Sequence, residues 1–389
     1  MKNKSILLLD GHTVQSISVA RSLREVGYNV TAFINSKISA GYASRYINKK
    51  VVINKKISSD EKAYLDFLIK FLIKNEHCVI IPMYNDSAEF LSKYKLEIEE
   101  KINIKCAIPE YDKFIIAHDK EKLMTICRLN SFPHPKTMSL SDGNIEDCFT
   151  YVGFPALIKP NISSGARGIT IVKSVKELMD VYPKVQEVYG PSTLQEYIDH
   201  TGVYYNVMLY RDKNGHVNEY VIIKIMRYFP LKGGTSSYCE TIENKELFTI
   251  CKKVLEALEW EGFADFDVME DKSGNLKIIE INPRIPASIH AAYASGVNFP
   301  EIIVNDLLGN ERLNYFYYTN KKIRFFGLDV LWFVFSKERF SFRPSWFKFF
   351  GKDISYQDGS FKDPLPMIMG FISGILKYLN PQFRNSKLE

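Results

Sequence analysis

The stretch Ile278-Ile279-Glu280-Ile281-Asn282-Pro283-Arg284 constrains the fold of this chain more than any other. Its apolar and polar residues alternate, the period of a strand with one buried face. Glu280 and Asn282, two apart, therefore point to the same side. Pro283 cannot donate to a ladder and ends the strand, so Arg284 stands just beyond it, where a ligand could meet it. A carboxylate beside an amide oxygen suits a hard cation such as Mg²⁺, which takes oxygen ligands and bridges to phosphates. An ordinary edge strand with solvated polar residues reads the same way, so a partner strand is needed. Gly262 to Met269 supplies one, with Asp271 to Asn275 as the turn. Folding the chain between Ser273 and Gly274 sets Asp267 opposite Glu280, and Asp267, Glu280 and Asn282 converge on one face. Three such acceptors repel one another unless a cation sits between them.

The 389 residues allow two or three packed domains, and 46% hydrophobic with 25% charged is ordinary for a globular chain. The cysteines at 78, 106, 127, 148, 239 and 251 form no Cys-x-x-Cys pair, which argues against a zinc site or a disulfide framework. The apolar run near Met1 is too short for a signal peptide, so the expected location is cytoplasmic. Ser5 to Asp10 reads as a buried strand, Ile17 to Arg24 as a helix stopping at Gly27, and Asn29 to Phe33 as a second strand. The turn at Gly11 lacks Gly-x-Gly-x-x-Gly, so no nicotinamide dinucleotide is expected. Strands near 51–53, 78–82 and 104–108, with helices over 64–74 and 87–94, continue the alternation. The expected class is α/β, opening with a parallel-sheet domain over residues 1–115.

Lys120 to Leu129 reads as a helix capped by Asp119. A strand then ends in Lys159, and a polar loop runs from Asn161 to Gly168 before the next strand. Glycine lets backbone N–H groups approach phosphates, but no Gly-Lys-Ser/Thr opens a helix, so this is not a P-loop. A plain hairpin turn competes with that reading; Lys159 and Arg167 favour anion binding. Asn214-Gly215 marks a hairpin between 204–211 and 216–226.

Taken in order, these pieces resemble the ATP-grasp enzymes, in the branch of the carbamoyl-phosphate synthase large subunit and ATP-dependent carboligases. His118-Asp119-Lys120 with Phe132 to Thr137 is similar to that family's opening segment, and Ile158-Lys159-Pro160 with Ser163 to Gly168 to its lysine and phosphate loop. Gln195-Glu196-Tyr197-Ile198 resembles its adenine hinge, and Asp267 with Glu280 to Arg284 its metal strands. The resemblance covers roughly residues 1–310. It implies a pre-grasp domain over 1–115, a grasp fold of two α+β subdomains over 116–310 with a small lid over about 122–198, and an accessory domain over 311–389.

Site roles follow from the resemblance. Lys120 and Lys159 would neutralise ATP phosphates, and Ser163, Ser164, Gly165, Arg167 and Gly168 would close over them. The Glu196 side chain and the main chain of Tyr197 and Ile198 would hold adenine. Asp267, Glu280 and Asn282 would hold two Mg²⁺ ions, with Glu280 bridging and Mn²⁺ as a substitute. Arg284 would act with Lys159 in catalysis and hold the carboxylate. Gly233, Gly234 and Ser236 would form a substrate loop, although a flexible hairpin fits them equally well. The family's ribose-binding glutamate is replaced here by Tyr204, which puts the sugar contact in doubt. The implied reaction is ATP-dependent activation of a carboxylate as an acyl phosphate and its joining to an amine, with ADP and phosphate released. Bicarbonate activation, as in carbamoyl-phosphate synthases and carboxylases, and a non-catalytic nucleotide-binding module are the alternatives.

Residues 311–389 carry 13 Lys/Arg against 7 Asp/Glu, which is the whole net charge of +6, and 20 of the 52 aromatics. The rest of the chain is neutral, so nucleic acid is not expected as a partner. Small-molecule carboxylate and amine substrates are expected, and a homo-oligomer is compatible with them. Pro364 to Leu376 is an uncharged run of 13 residues, short of the roughly 20 needed to span a bilayer. The favoured expectation for this tail is a domain packed on the core that shapes the acceptor pocket. Membrane-surface contact ranks second.

Overall fold

The computed structural model describes residues 4–141, 143–163, 167–231 and 233–379. Strands β1 (Ser5–Leu8), β2 (Asn29–Ile34), β3 (Lys49–Val52), β4 (Val79–Ile81) and β5 (Lys105–Cys106) form a parallel sheet in the order β3-β2-β1-β4-β5. Ile6, Leu7 and Leu8 are fully buried, as a strand covered on both faces requires. Ile6 and Leu8 pack with Val19 and Leu23 of the helix Gln15–Glu25, while Leu7 packs with Leu65, Leu68 and Leu72 of the helix Glu61–Lys74. Strand order reverses between β1 and β4, and the crevice at their carboxyl ends is where such sheets bind ligands. Gly11 turns the chain there. A Cβ on Gly41 would overlap the Gly11 carbonyl, so the two backbones touch without side chains between them.

A smaller antiparallel sheet follows, β6 (Thr137–Ser139), β7 (Ala156–Pro160), β8 (Thr170–Val172) and β9 (Ser192–Glu196), in the order β6-β9-β7-β8. The helices Ile145–Val152 and Val175–Tyr189 cover it through Cys148, Val152, Leu178 and Tyr182.

The largest sheet has seven strands: β10 (His200–Arg211), β11 (Val217–Phe229), β12 (Thr235–Ile242), β13 (Gly262–Asp271), β14 (Leu276–Asn282), β15 (Lys322–Arg324) and β16 (Ile354–Tyr356). Their order is β14-β13-β10-β11-β12-β15-β16. One face, with Val207, Leu209, Phe266, Val268, Ile278 and Ile281, lies under the helices Lys120–Leu129 and Lys245–Ala257. The other, with Met208, Tyr210, Ile223 and Phe263, shares a core with the first sheet.

The β13–β14 register pairs Asp265 with Asn282, Phe266 with Ile281 and Asp267 with Glu280, then Val268 with Ile278. Asp267 stands opposite Glu280, as the sequence implies, but Ile279 is an extra residue. Unbroken alternation would put Glu280 on the face of Ile278, inside the apolar core. The bulge at Ile279 turns Glu280 onto the opposite face and lets Ile278 and Ile281 both reach the core.

The tail adds β15 beside β12 and β16 beside β15. Arg227 of β11 and Arg324 of β15, both buried, meet the buried Asp329 of the helix Phe326–Phe335. Arg227 Nε and Nη2 donate to Asp329 at 2.7 and 2.9 Å, and Arg324 Nε donates at 2.5 Å. Tyr238 and Trp332 lie against Arg227, and Trp346 and Phe349 against Arg324. Part of the tail's aromatic content is therefore the wall of a buried charge cluster that clamps it to the sheet.

Candidate active site

Asp119 caps the helix Lys120–Leu129, accepting from the N–H groups of Glu121 (2.9 Å) and Lys122 (3.2 Å). This helix start is tied to the end of β7. Lys120 N–H donates to the Asn161 carbonyl at 3.0 Å, and Asn161 Nδ2 donates to Glu121 at 2.8 Å. Lys120 Nζ donates to the Ser163 carbonyl at 3.0 Å and lies 3.8 Å from Glu280 Oε2. One lysine therefore joins the root of the 161–168 loop to the carboxylate strand.

Lys159 is 6% exposed. Burial pushes its pKa down to about 8, with the Lys120 charge adding to the effect and Glu280 and Asp267 opposing it. Asp267 and Glu280 hydrogen-bond to each other, and Asn206 Nδ2 and the Tyr204 hydroxyl also bond Asp267. Burial, then the charges of Glu280 and Asp265, hold Asp267 well above the usual carboxylate range. Burial acts on Glu280 in the same sense, but Lys120, the Asp267 bond, Lys159 and Arg284 outweigh it and hold Glu280 low. The pair is thus split, with Asp267 held toward its neutral form and Glu280 toward its charged one.

Asp265, one pleat further along β13, is pushed up to about 8 by burial against the pull of Arg284. Its Oδ1 is buried with no hydrogen-bond partner among the described residues. Carboxyl groups crowded until they retain protons fit a Mg²⁺ ion, which would take the protons' place. Among the described residues no three His, Cys, Asp or Glu side chains stand as a ready-made ion cage. Mg²⁺ usually needs only one or two carboxylates, the substrate phosphates completing its shell.

Asn282 departs from its expected role. Its Nδ2 faces the carboxylates, 3.5 Å from Asp265 and Asp267, and its Oδ1 accepts from Arg284 Nη2 at 3.0 Å. As placed it positions Arg284 and offers the carboxylates a donor; to ligate an ion the amide would have to turn. Arg284 Nε donates to Asn85 Oδ1 at 2.8 Å. Asn85 begins the helix Asn85–Lys93 just after β4, so Arg284 spans from the large sheet to the crevice of the parallel sheet. At that crevice Asp10 is raised to about 6, by burial first. His118, beside Lys120, is lowered to about 4, also chiefly by burial, and stays neutral at pH 7.

Glu196 Oε2 accepts from Lys136 N–H at 3.0 Å and Lys277 Nζ at 3.1 Å, and Tyr197 N–H donates to the Pro155 carbonyl at 3.3 Å. Glu196 Oε2 is therefore engaged within the protein, and among the described residues no backbone hydrogen bond is made by the Tyr197 carbonyl or the Ile198 N–H. Arg167 is exposed. Gly168 has φ +75, and a Cβ there would strike Pro160 and Tyr189. Ser164 and Gly165 lie outside the described residues. Gly233 and Gly234 sit at the tip of the β11–β12 hairpin, and Ser236 is buried opposite Tyr228. Among the described residues no hydrogen bond joins these three to Arg284 or the carboxylates. This hairpin meets the tail instead, through Ser237 Oγ to Asp329 (3.4 Å) and Phe229 against Phe335.

Asp265, Asn206, Asn85 and His118 are additions to the sequence-read set. Asp265 carries a usable signal, since it precedes Asp267 by two on one strand and shares its face. Asn206 and Asn85 carry none, because strand pairing between distant segments brings them in.

A family model described as ATP-grasp in the biosynthetic pathway with Ter operon matches residues 216–328. The D-aspartate ligase of Enterococcus faecium (strain Aus0004) is 22% identical over 331 residues, covering 79% of this chain and 77% of that protein. The biotin carboxylase domain of Hydrogenobacter thermophilus 2-oxoglutarate carboxylase, solved with MgADP and bicarbonate, aligns with a TM-score of 0.68 at 19% identity, over 82% of this chain and 73% of that one. The L-amino acid ligase of Bacillus licheniformis aligns at 0.60 and 17% identity, over 79% and 75%. Motif order, sheet architecture and these matches agree in their likeness to the ATP-grasp enzymes, in fold over most of the chain and by family model over residues 216–328.

Proposed function

We propose that this protein is an ATP-dependent ligase that activates a carboxylate as an acyl phosphate and joins it to an amine. One observation carries the reading. The Asp267–Glu280 pair faces the ammonium groups of Lys120 and Lys159 at the root of the 161–168 loop, with Arg284 reaching toward the parallel-sheet crevice. Mg²⁺ held by Asp267 and Glu280, with Asp265 behind them, would neutralise charge on the β- and γ-phosphates. Lys120 and Lys159 meet the phosphate oxygens, and the loop shields them from water. The Tyr197 carbonyl and Ile198 N–H take the adenine edge. Tyr204 braces Asp267 rather than serving the ribose. Arg284 exchanges Asn85 or Asn282 for the substrate carboxylate and holds it by two donors. A carboxylate oxygen attacks the γ-phosphorus and the bond to ADP breaks, the electron pair leaving with ADP. The amine nitrogen then attacks the acyl carbon and phosphate departs with the C–O pair. The likeness to D-aspartate ligase and L-amino acid ligase supports an amino acid as one substrate.

ATP affinity should fall above about pH 8, where Lys159 loses its proton in the free protein and must regain it on binding. The slope approaches about tenfold per pH unit. In Lys159→Met, binding measured by calorimetry is weaker at every pH and lacks this slope. The reaction is tested by a phosphate-release screen of carboxylates against amino acids and amino sugars. A pair that stimulates ATP hydrolysis supports the reading; no stimulation by any pair removes its main support.

A further inference from the structure

We propose that the helix Leu365–Tyr378 docks the protein on an anionic lipid surface, lying in its plane. The helix has two sides. Pro366, Met369, Gly370, Ser373 and Gly374 form the more buried one, and a Cβ on Gly370 would touch Ala40 of the first domain. The opposite side carries Leu365, Ile368, Phe371, Ile372, Ile375 and Leu376 at helical spacing, continued by Leu379. All of these are exposed, Leu365 at 56% and Leu379 at 70%, and Phe361 just upstream is 96% exposed. A helix face turned to water is normally polar, and a continuous apolar stripe marks a surface that something covers. Among the described residues no helix is long and apolar enough to cross a membrane, so the stripe is suited to lying on one.

Charge selects the occupant. Among the described side chains from residue 336 to 379, the exposed cations are Lys337, Arg343, Lys348, Lys352 and Lys362, and the exposed acid is Glu338 alone. Asp353 is taken by Lys322 at 2.7 Å, Asp358 is buried, and Asp363 is buried and accepts from Ser44 at 2.7 Å. Exposed Phe340, Phe347 and Phe350 stand among these cations. Exposed apolar side chains in a segment whose exposed charge is mostly positive match an anionic bilayer surface, where each Lys or Arg strengthens binding. This placement sets the active site beside a membrane without entering it. β15 and β16 pack the tail on the core, and the membrane-surface contact is proposed for its last helix alone, whose face away from the core is apolar.

The test is co-sedimentation of the full chain with phosphatidylcholine vesicles, with and without phosphatidylserine. The protein should pellet with the anionic vesicles, weakly with the neutral ones, and less as salt is raised. Ile368→Glu/Ile372→Glu/Ile375→Glu and, separately, Lys348→Glu/Lys352→Glu/Lys362→Glu should each weaken this binding about tenfold or more, with ATP binding unchanged. Failure of the unaltered chain to bind either vesicle overturns the proposal, as does binding that neither variant weakens. A dimer that the isoleucine variant dissociates, without vesicle binding, would overturn it in favour of a second copy of the chain.

Discussion

Glu280→Ala should abolish ATP turnover, lowering the rate by about 10³-fold or more, on the scale of losing a principal electrostatic group in a water-poor site. Glu280 is the carboxylate on which the local charges converge. Lys120, Lys159 and Arg284 all act on it, and Asp267 hydrogen-bonds to it. Without it Lys120 loses the carboxylate 3.8 Å away, Lys159 loses the largest charge opposing its burial, and Asp267 loses its partner. Glu280→Gln should fail almost as badly, since it keeps the shape and removes the charge. Both variants should remain folded by circular dichroism, because Glu280 lies on the site side of β14 and not in the apolar core. Unchanged turnover in either would remove Glu280 from the cation site and with it the carboxylate-strand assignment.

Asp329→Ala should cost about 3–5 kcal/mol of stability in denaturant unfolding, because it strands buried cations. Arg227 and Arg324 are both fully desolvated. After the substitution their hydrogen-bond partners among the described residues are carbonyls, those of Pro344 for Arg227 and of Trp346 and Lys348 for Arg324. Asp329→Asn, which preserves volume, should recover little of the loss. A cost under about 1 kcal/mol would mean that the cluster is not what holds the tail to β11 and β15.

The sequence made the carboxylate hairpin legible because it is local. Five turn residues, a proline stop and the Asp267–Glu280 distance along the chain suffice to place two strands. The bulge at Ile279 was not legible, since nothing in an isoleucine pair says which of the two is extra; packing of Ile278 and Ile281 into one core decides it. The alternating β/α opening was equally readable from its apolar runs. Asn206 and Asn85 were not, because β10 meets β13 across more than fifty residues and Asn85 comes from a helix that follows a strand of the parallel sheet. Asn282 was read by its chemistry as an oxygen ligand, and the neighbouring guanidinium claims that oxygen instead. For Glu196 the resemblance implies an adenine contact, and Lys277 Nζ donates to its Oε2 at 3.1 Å. In the tail, paired aromatics and cations gave composition without arrangement. The clamp around Asp329 depends on the sheet bringing β11 and β15 to one helix, and the exposed face of the helix Leu365–Tyr378 on which of its sides meets Ala40.

The most direct test of carboxylate activation uses a carboxylate substrate labelled with ¹⁸O in its carboxyl group. One labelled oxygen should appear in the released phosphate for each amide formed, because the acyl phosphate hands its bridging oxygen to phosphorus. Amide formation with unlabelled phosphate would contradict the account.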